Sequence, residues 1–136
     1  MKFPSRILLL LTLGFSSVLA ADIAKLTPPE AAKLVAAGKA VLVDVREPSE
    51  WIESGVAAPA VLLPKSEFDE GLTGEWKTFL AQVGDKQVIT YCRSGKRAGV
   101  VAEALAAKGL KTANAGGFKD WVAAGLPVKP YASAKK

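Results

Sequence analysis

The spacing of apolar positions changes along this chain in a regular way. From Pro28 to Val35 the apolar residues fall at helical intervals, with Ala31, Leu34 and Val35 on one side, and Gly38 closes the stretch. Thr27-Pro28-Pro29-Glu30 opens it with a capping hydroxyl, a proline at the first helical position and a glutamate placed for a capping box. Ala40 to Val45 is apolar and β-branched without alternation, which suits a strand covered on both faces. Pro48 to Glu53 predicts a short helix, and Val61-Leu62-Leu63 a short strand ended by Pro64. Leu72 to Val83 returns to helical spacing, with Trp76, Phe79, Leu80 and Val83 together. Gln87 to Tyr91 is the next strand, Arg97 to Lys108 an Ala- and Val-rich helix stopped by Gly109, and Thr112 to Ala115 a last strand. A final helix runs from Gly117 to Ala124, closed by Gly125 and Pro127.

Strands and helices therefore alternate from end to end, the signature of an α/β domain with a mostly parallel sheet. There is no internal repeat and no linker, and 136 residues suffice for one ordinary domain. The first twenty residues stand apart. Lys2 and Arg6 precede an apolar run, Ile7 to Leu13, too short to span a bilayer, and Val18-Leu19-Ala20 puts small side chains before Ala21. Residues 1–20 read as a secretory signal peptide, which predicts export to a periplasmic or extracellular space and no stable membrane anchor after cleavage. Residues 21–129 are then the folded domain and 130–136 a disordered basic tail. Cleavage lowers the count of Lys and Arg from 18 to 16 against 13 Asp and Glu, a net charge of +3. The cations are dispersed apart from Arg93, Lys96 and Arg97, so nucleic acid is not an expected partner.

The chemistry is concentrated in Ile89-Thr-Tyr-Cys-Arg-Ser-Gly-Lys-Arg-Ala-Gly99. It holds the only cysteine of a chain that has no histidine. Cys92 falls between a strand and a helix, where the carboxyl ends of strands in open α/β sheets hold ligands. Free N–H groups and the positive end of the helix dipole face that point. Gly95 lets the backbone curl, and Arg93, Lys96 and Arg97 add full charges. All of this favours an anion, and a thiolate is an anion. Lacking histidine, the chain cannot build Cys–His or Ser–His–Asp catalysis, and most zinc sites are closed to it; neither a metal nor a cofactor is implied. With a single cysteine there is no Cys-x-x-Cys redox pair. A thiolate made by dipoles and cations alone suits a soft, weakly bonded electrophile such as a sulfane sulfur.

Cys92-Arg93-Ser94-Gly95-Lys96-Arg97 resembles the active-site loop of the rhodanese family, a cysteine and an arginine with four residues between. Asp44-Val45-Arg46-Glu47-Pro48-Ser49-Glu50-Trp51 is similar to that family's Asp-Val-Arg segment and the acidic-aromatic turn after it. Gly116-Gly117-Phe118-Lys119-Asp120-Trp121, with Ala124-Gly125-Leu126-Pro127-Val128, resembles its C-terminal signature. The ordered set spans nearly the whole mature chain. The resemblance implies a rhodanese-like three-layer domain with a five-strand parallel sheet flanked by helices, and a persulfide carried on Cys92. Gly55-Val56-Ala57-Ala58-Pro59-Ala60 departs from the family's Gly-His-Ile-Pro-Gly-Ala segment, and Leu62 stands where an asparagine is usual.

The expected activity is that of a thiosulfate sulfurtransferase. Cys92 takes sulfur from a small anionic donor such as thiosulfate and passes it to a thiol or cyanide, or to a protein acceptor. Arg93, Ser94, Gly95, Lys96 and Arg97 bind substrate. A sulfur carrier or protein-docking module without turnover is the alternative. A cysteine phosphatase or arsenate reductase is disfavoured, because its arginine, with five residues between it and the cysteine, would fall at Ala98. Asp44 and Arg46 are supporting residues with two readings: a solvated charge pair at a strand end, or a brace for the cysteine loop. Ser94 either binds an anion or caps the following helix.

Overall fold

The structure is a computed structural model and describes residues 23–132; the candidate leader at 1–20 lies outside them. Among the described residues, seven strands and six helices follow one another. They are β1 (Ala24–Lys25), α1 (Pro28–Ala36), β2 (Ala40–Asp44), α2 (Pro48–Ser54), β3 (Val56–Ala57), β4 (Val61–Leu62) and α3 (Lys65–Asp69). Then come α4 (Trp76–Gln82), β5 (Gln87–Cys92), α5 (Lys96–Ala107), β6 (Thr112–Gly117), α6 (Phe118–Ala123) and β7 (Val128–Lys129). The main sheet has five strands in the order β1-β6-β5-β2-β4, and every pairing is parallel. The short antiparallel pair β3–β7 stands apart from it.

The unalternating run of β2 is explained by cover on both faces. Val43 and Val45 point into one apolar cluster with Val88, Leu63, Trp76 of α4 and Ala98, Val101 and Leu105 of α5. Ala40 and Leu42 point into the other, with Ile89, Tyr91, Ala113, Ala31 of α1 and Trp121 of α6. The expected three-layer α/β domain with a five-strand parallel sheet is what the chain forms. β5 occupies the middle of that sheet. The chain leaves β2 towards β4 on one side and leaves β5 towards β6 on the other. The crevice between the carboxyl ends of β2 and β5 is therefore the place where such a sheet takes a ligand.

Several expectations need correction. The helix placed at Leu72–Val83 begins only at Trp76. Gly71, Leu72 and Gly74 all have positive φ, which holds residues 71–74 in turns. Leu72 accepts that conformation at φ 63° while packing on the apolar cluster around Trp76. Helix α3 lies where no element was expected, because five residues carry no readable period. Pro64 precedes it, and its carbonyl accepts the Trp76 indole N–H at 2.9 Å. The capping box at α1 is half formed: Thr27 Oγ accepts the Glu30 N–H at 3.3 Å, without the return bond from Glu30. Tyr131, assigned to a disordered tail, packs edge-on against Trp51 with ring centroids 5.4 Å apart.

Candidate active site

Cys92 ends β5, the central strand, and α5 begins four residues later with Gly95 as its N-cap. Gly95 is left-handed at φ 95°, and a Cβ there would stand 3.2 Å from the Gly116 Cα. Both facts demand glycine. The curl turns the Gly95 N–H back onto the sulfur: it donates to Cys92 Sγ at 3.0 Å. Helix α5 is twelve residues long and sets the positive end of its dipole behind the same point. The contact and the dipole both support negative charge on the sulfur. The thiol is fully buried, packed in the cluster with Val43, Val45 and Ala98. Arg93, Ser94 and Lys96 are exposed on the rim of the loop, and none of them takes part in an ion pair among the described residues.

Arg97 is differently placed. Its guanidinium makes a two-pronged contact with Glu50, at 2.8 and 2.7 Å. Expected among the substrate-binding residues, it joins α5 to α2. Glu50 was not singled out from the sequence. Its carboxylate also accepts the Glu47 N–H at 2.8 Å, so one side chain closes the start of α2 and anchors the start of the cysteine-loop helix. The hydrogen bonds from Arg97 hold the Glu50 carboxyl down at about 2, against the partial burial that would raise it, and the same pairing raises Arg97. The signal in the sequence was the Glu at the third position after the cap of a short helix, quoted only as part of the acidic-aromatic turn.

Asp44 and Arg46 are not a solvated pair: they are 0% and 3% exposed. Asp44 accepts from Arg46 Nη2 at 2.8 Å, from Nε at 3.1 Å and from the Arg46 backbone N–H at 2.9 Å. The guanidinium also donates to Ser54 Oγ and the Gly55 carbonyl and lies 4.3 Å from the Phe118 ring centre. Burial alone would lower the Arg46 pKa; the Asp44 hydrogen bond and charge outweigh it and raise it. Burial, with Asp44 alongside, also keeps the Tyr91 phenol protonated, and its oxygen accepts the Ala57 N–H at 3.0 Å. The Asp44 carboxylate makes no hydrogen bond to the cysteine loop. Through Arg46 the pair braces Ser54 and Gly55 instead, at the start of the stretch that departs from the rhodanese pattern. Arg46, Glu50, Ser54, Arg93 and Phe118 line a cleft of about 290 Å³ beside the loop.

A loop of this size around a buried sulfur, on this sheet, has known relatives. The model of the rhodanese-like domain matches residues 27–124. This chain belongs to the rhodanese-like family. A thiosulfate:glutathione sulfurtransferase of Saccharomyces cerevisiae is 35% identical over 94 residues, 62% of this chain and 66% of that one, so the chain spans slightly under two thirds of that relative's length. Among solved structures, a polysulfide-sulfur transferase homodimer of Wolinella succinogenes is 26% identical with a TM-score of 0.63, covering 86% of this chain and 85% of its own. A Rhodopseudomonas palustris protein of unknown function, described as a possible tyrosine phosphatase, is 27% identical with a TM-score of 0.65, covering 79% and 85%. In this rhodanese-like domain, the Gly116-Gly117 pair abuts the cysteine loop: a Cβ on Gly117 would collide with the Arg93 carbonyl oxygen.

Proposed function

We propose that this protein is a sulfurtransferase that carries sulfane sulfur on Cys92. The observation that carries the reading is the Gly95 N–H donating to Cys92 Sγ at the head of α5, at the end of the central strand. In the first step the Cys92 thiolate attacks the outer sulfur of thiosulfate. The new S–S bond forms as the donor's S–S bond breaks, and sulfite leaves with the bonding pair. In the second step a thiolate or cyanide attacks the outer sulfur of the persulfide and takes it, and the Cys92 thiolate is restored. Loop N–H groups and the helix dipole stabilise the charge at both stages. Arg93 and Lys96 on the rim draw the anionic donor in. Cys92 is buried, so a path to Sγ has to open for the donor to reach it.

The sulfurtransferase names of the yeast and Wolinella relatives support this reading. Phosphoryl chemistry fits the loop poorly. The position where a longer cradle would put its arginine is Ala98, which is buried, and Arg97 is held by Glu50. The candidate leader adds the proposal that the transfer takes place outside the cytoplasm; the N-terminal sequence of the exported protein, starting near Ala21, tests it, and an intact Met1 would refute it. Turnover is tested by sulfite release from thiosulfate with glutathione or cyanide as acceptor. Continuous release lost in Cys92→Ser is the expected result. A single burst without turnover would make the domain a sulfur carrier, and hydrolysis of an aryl phosphate by the same cysteine would overturn sulfur transfer.

A further inference from the structure

The amide that touches the sulfur is itself held from behind. Gly95 presents its N–H to Cys92, and its carbonyl accepts the side-chain amide of Asn114 at 2.8 Å. Asn114 lies on β6 opposite Thr90 of β5. Past that point the two strands fall out of register: Cys92 lies opposite Gly117, so β6 spends three residues where β5 spends two. The extra residue is absorbed where Gly116 turns to φ 81°. The other end of the Asn114 amide fixes this irregularity, its Oδ1 accepting the Gly116 N–H at 2.9 Å. One half-buried side chain thus pins both the bulge that forms the wall of the cysteine loop and the carbonyl of Gly95, the residue whose N–H faces the thiol.

The space around it is built from glycine. A Cβ on Gly99 would stand 3.3 Å from Asn114 Nδ2 and one on Gly95 3.7 Å from it, while one on Gly95 would also meet the Gly116 Cα. The Gly95 carbonyl already accepts the Gly99 N–H at 2.9 Å, as the first bond of α5. Asn114 supplies a second donor to that oxygen, which fixes the tilt of the Gly95–Lys96 peptide plane. The Gly95 N–H belongs to the preceding Ser94–Gly95 plane, and the Gly95 φ of 95° and ψ of −12° set its direction relative to the anchored one.

We infer that Asn114 is a positioning residue for Cys92: through the Gly95 carbonyl it aims the Gly95 N–H at the sulfur. The inference rests on the sulfur-transfer reading for its kinetic consequence, but not for its geometric one. Asn114→Asp separates the two halves of the amide. The oxygen that serves Gly116 is kept, and the donor to Gly95 is replaced by a carboxylate facing a carbonyl. Asn114→Ala removes both.

The test takes the purified full chain and both variants, with folding verified by thermal unfolding. Cys92 alkylation by iodoacetamide at neutral pH and the chemical shift of the Gly95 amide proton report on the contact without any catalysis; sulfur loading from thiosulfate reports on its use. A misdirected donor should slow alkylation and lower the maximal loading rate by roughly tenfold in Asn114→Asp, with the half-saturating thiosulfate concentration nearly unchanged. The Gly95 amide proton should move upfield. Asn114→Ala should lie between Asn114→Asp and the parent. Parent-like alkylation and an unmoved Gly95 resonance in a folded Asn114→Asp variant would overturn the inference. If the parent itself takes up no sulfur, the sulfur-transfer reading falls, while the alkylation and resonance measurements still decide the role of Asn114.

Discussion

At the scale of single residues, the three cations after Cys92 divide by what they touch. Arg93 and Lys96 are exposed rim charges, whereas Arg97 is locked to Glu50. Arg93→Ala or Lys96→Ala should raise KM for thiosulfate by about two- to fivefold, with kcat little changed, and the effect should fade with salt. Arg97→Ala should lower kcat by roughly tenfold, nearly independent of salt, since it loosens the loop amides rather than the attraction of the donor. Steady-state kinetics at low and high ionic strength separates the two; equal losses in kcat for all three would show that the loop acts as one unit. The Glu50 end of the pair sets a pH dependence. Its carboxyl is held at about 2 against an ordinary 4.5. A depressed carboxylate contributes stability above its unfolded value and loses it as pH falls through its folded one. Glu50→Gln should therefore cost about 1 kcal/mol at neutral pH, a small figure because the pair is partly exposed. The gap to the parent protein should close between pH 4.5 and about 2, measured by urea unfolding.

At the scale of elements, the cysteine loop is shaped by its neighbour β6 as much as by its own residues. A Cβ on Gly117 would collide with the Arg93 carbonyl oxygen. The atoms it would collide with are Arg93 backbone, which cannot swing aside as a side chain would. Gly117→Ala should destabilise the fold by about 1–3 kcal/mol and slow Cys92 chemistry together, read by urea unfolding and by alkylation rate. An alanine tolerated in both measurements would mean that the loop and β6 are less tightly joined. The same element scale decides what the sequence could reveal. β2, β5 and α5 were legible because long unbroken apolar runs and glycine stops report burial directly. Strands β3 and β7, of two residues each, and α3, of five, carry no period and exist through contacts made far along the chain. Cys92 and its loop were readable from local chemistry. Glu50 was not, for its partner Arg97 lies 47 residues away, and neither was Asn114, whose carbonyl partner belongs to another element. Asp44 and Arg46 were recognised, but their burial depends on Phe118 and Tyr91 closing over them.

At the scale of the whole molecule, a chain with one cysteine has no disulfide to rely on, and its stability rests on packing and on a few buried polar contacts. The pair Asp44–Arg46 is the most exposed to mutation in that sense, being the most enclosed. Arg46→Ala would leave the Asp44 carboxylate buried without its partner and should cost about 3–5 kcal/mol, a large share of the roughly 5–15 kcal/mol of an ordinary domain. Asp44→Asn combined with Arg46→Met should cost clearly less than Arg46→Ala alone; equal losses in urea unfolding would deny that the stranded charge is the cause. Stability and chemistry meet at the crevice between β2 and β5, and the account stands or falls on what Cys92 does there. The most direct measurement is the intact mass of the purified protein after incubation with thiosulfate and removal of excess reagent. The account predicts a gain of one sulfur atom, located on Cys92, released by added thiol and absent in Cys92→Ser. An unchanged mass, or the same gain in Cys92→Ser, would contradict it.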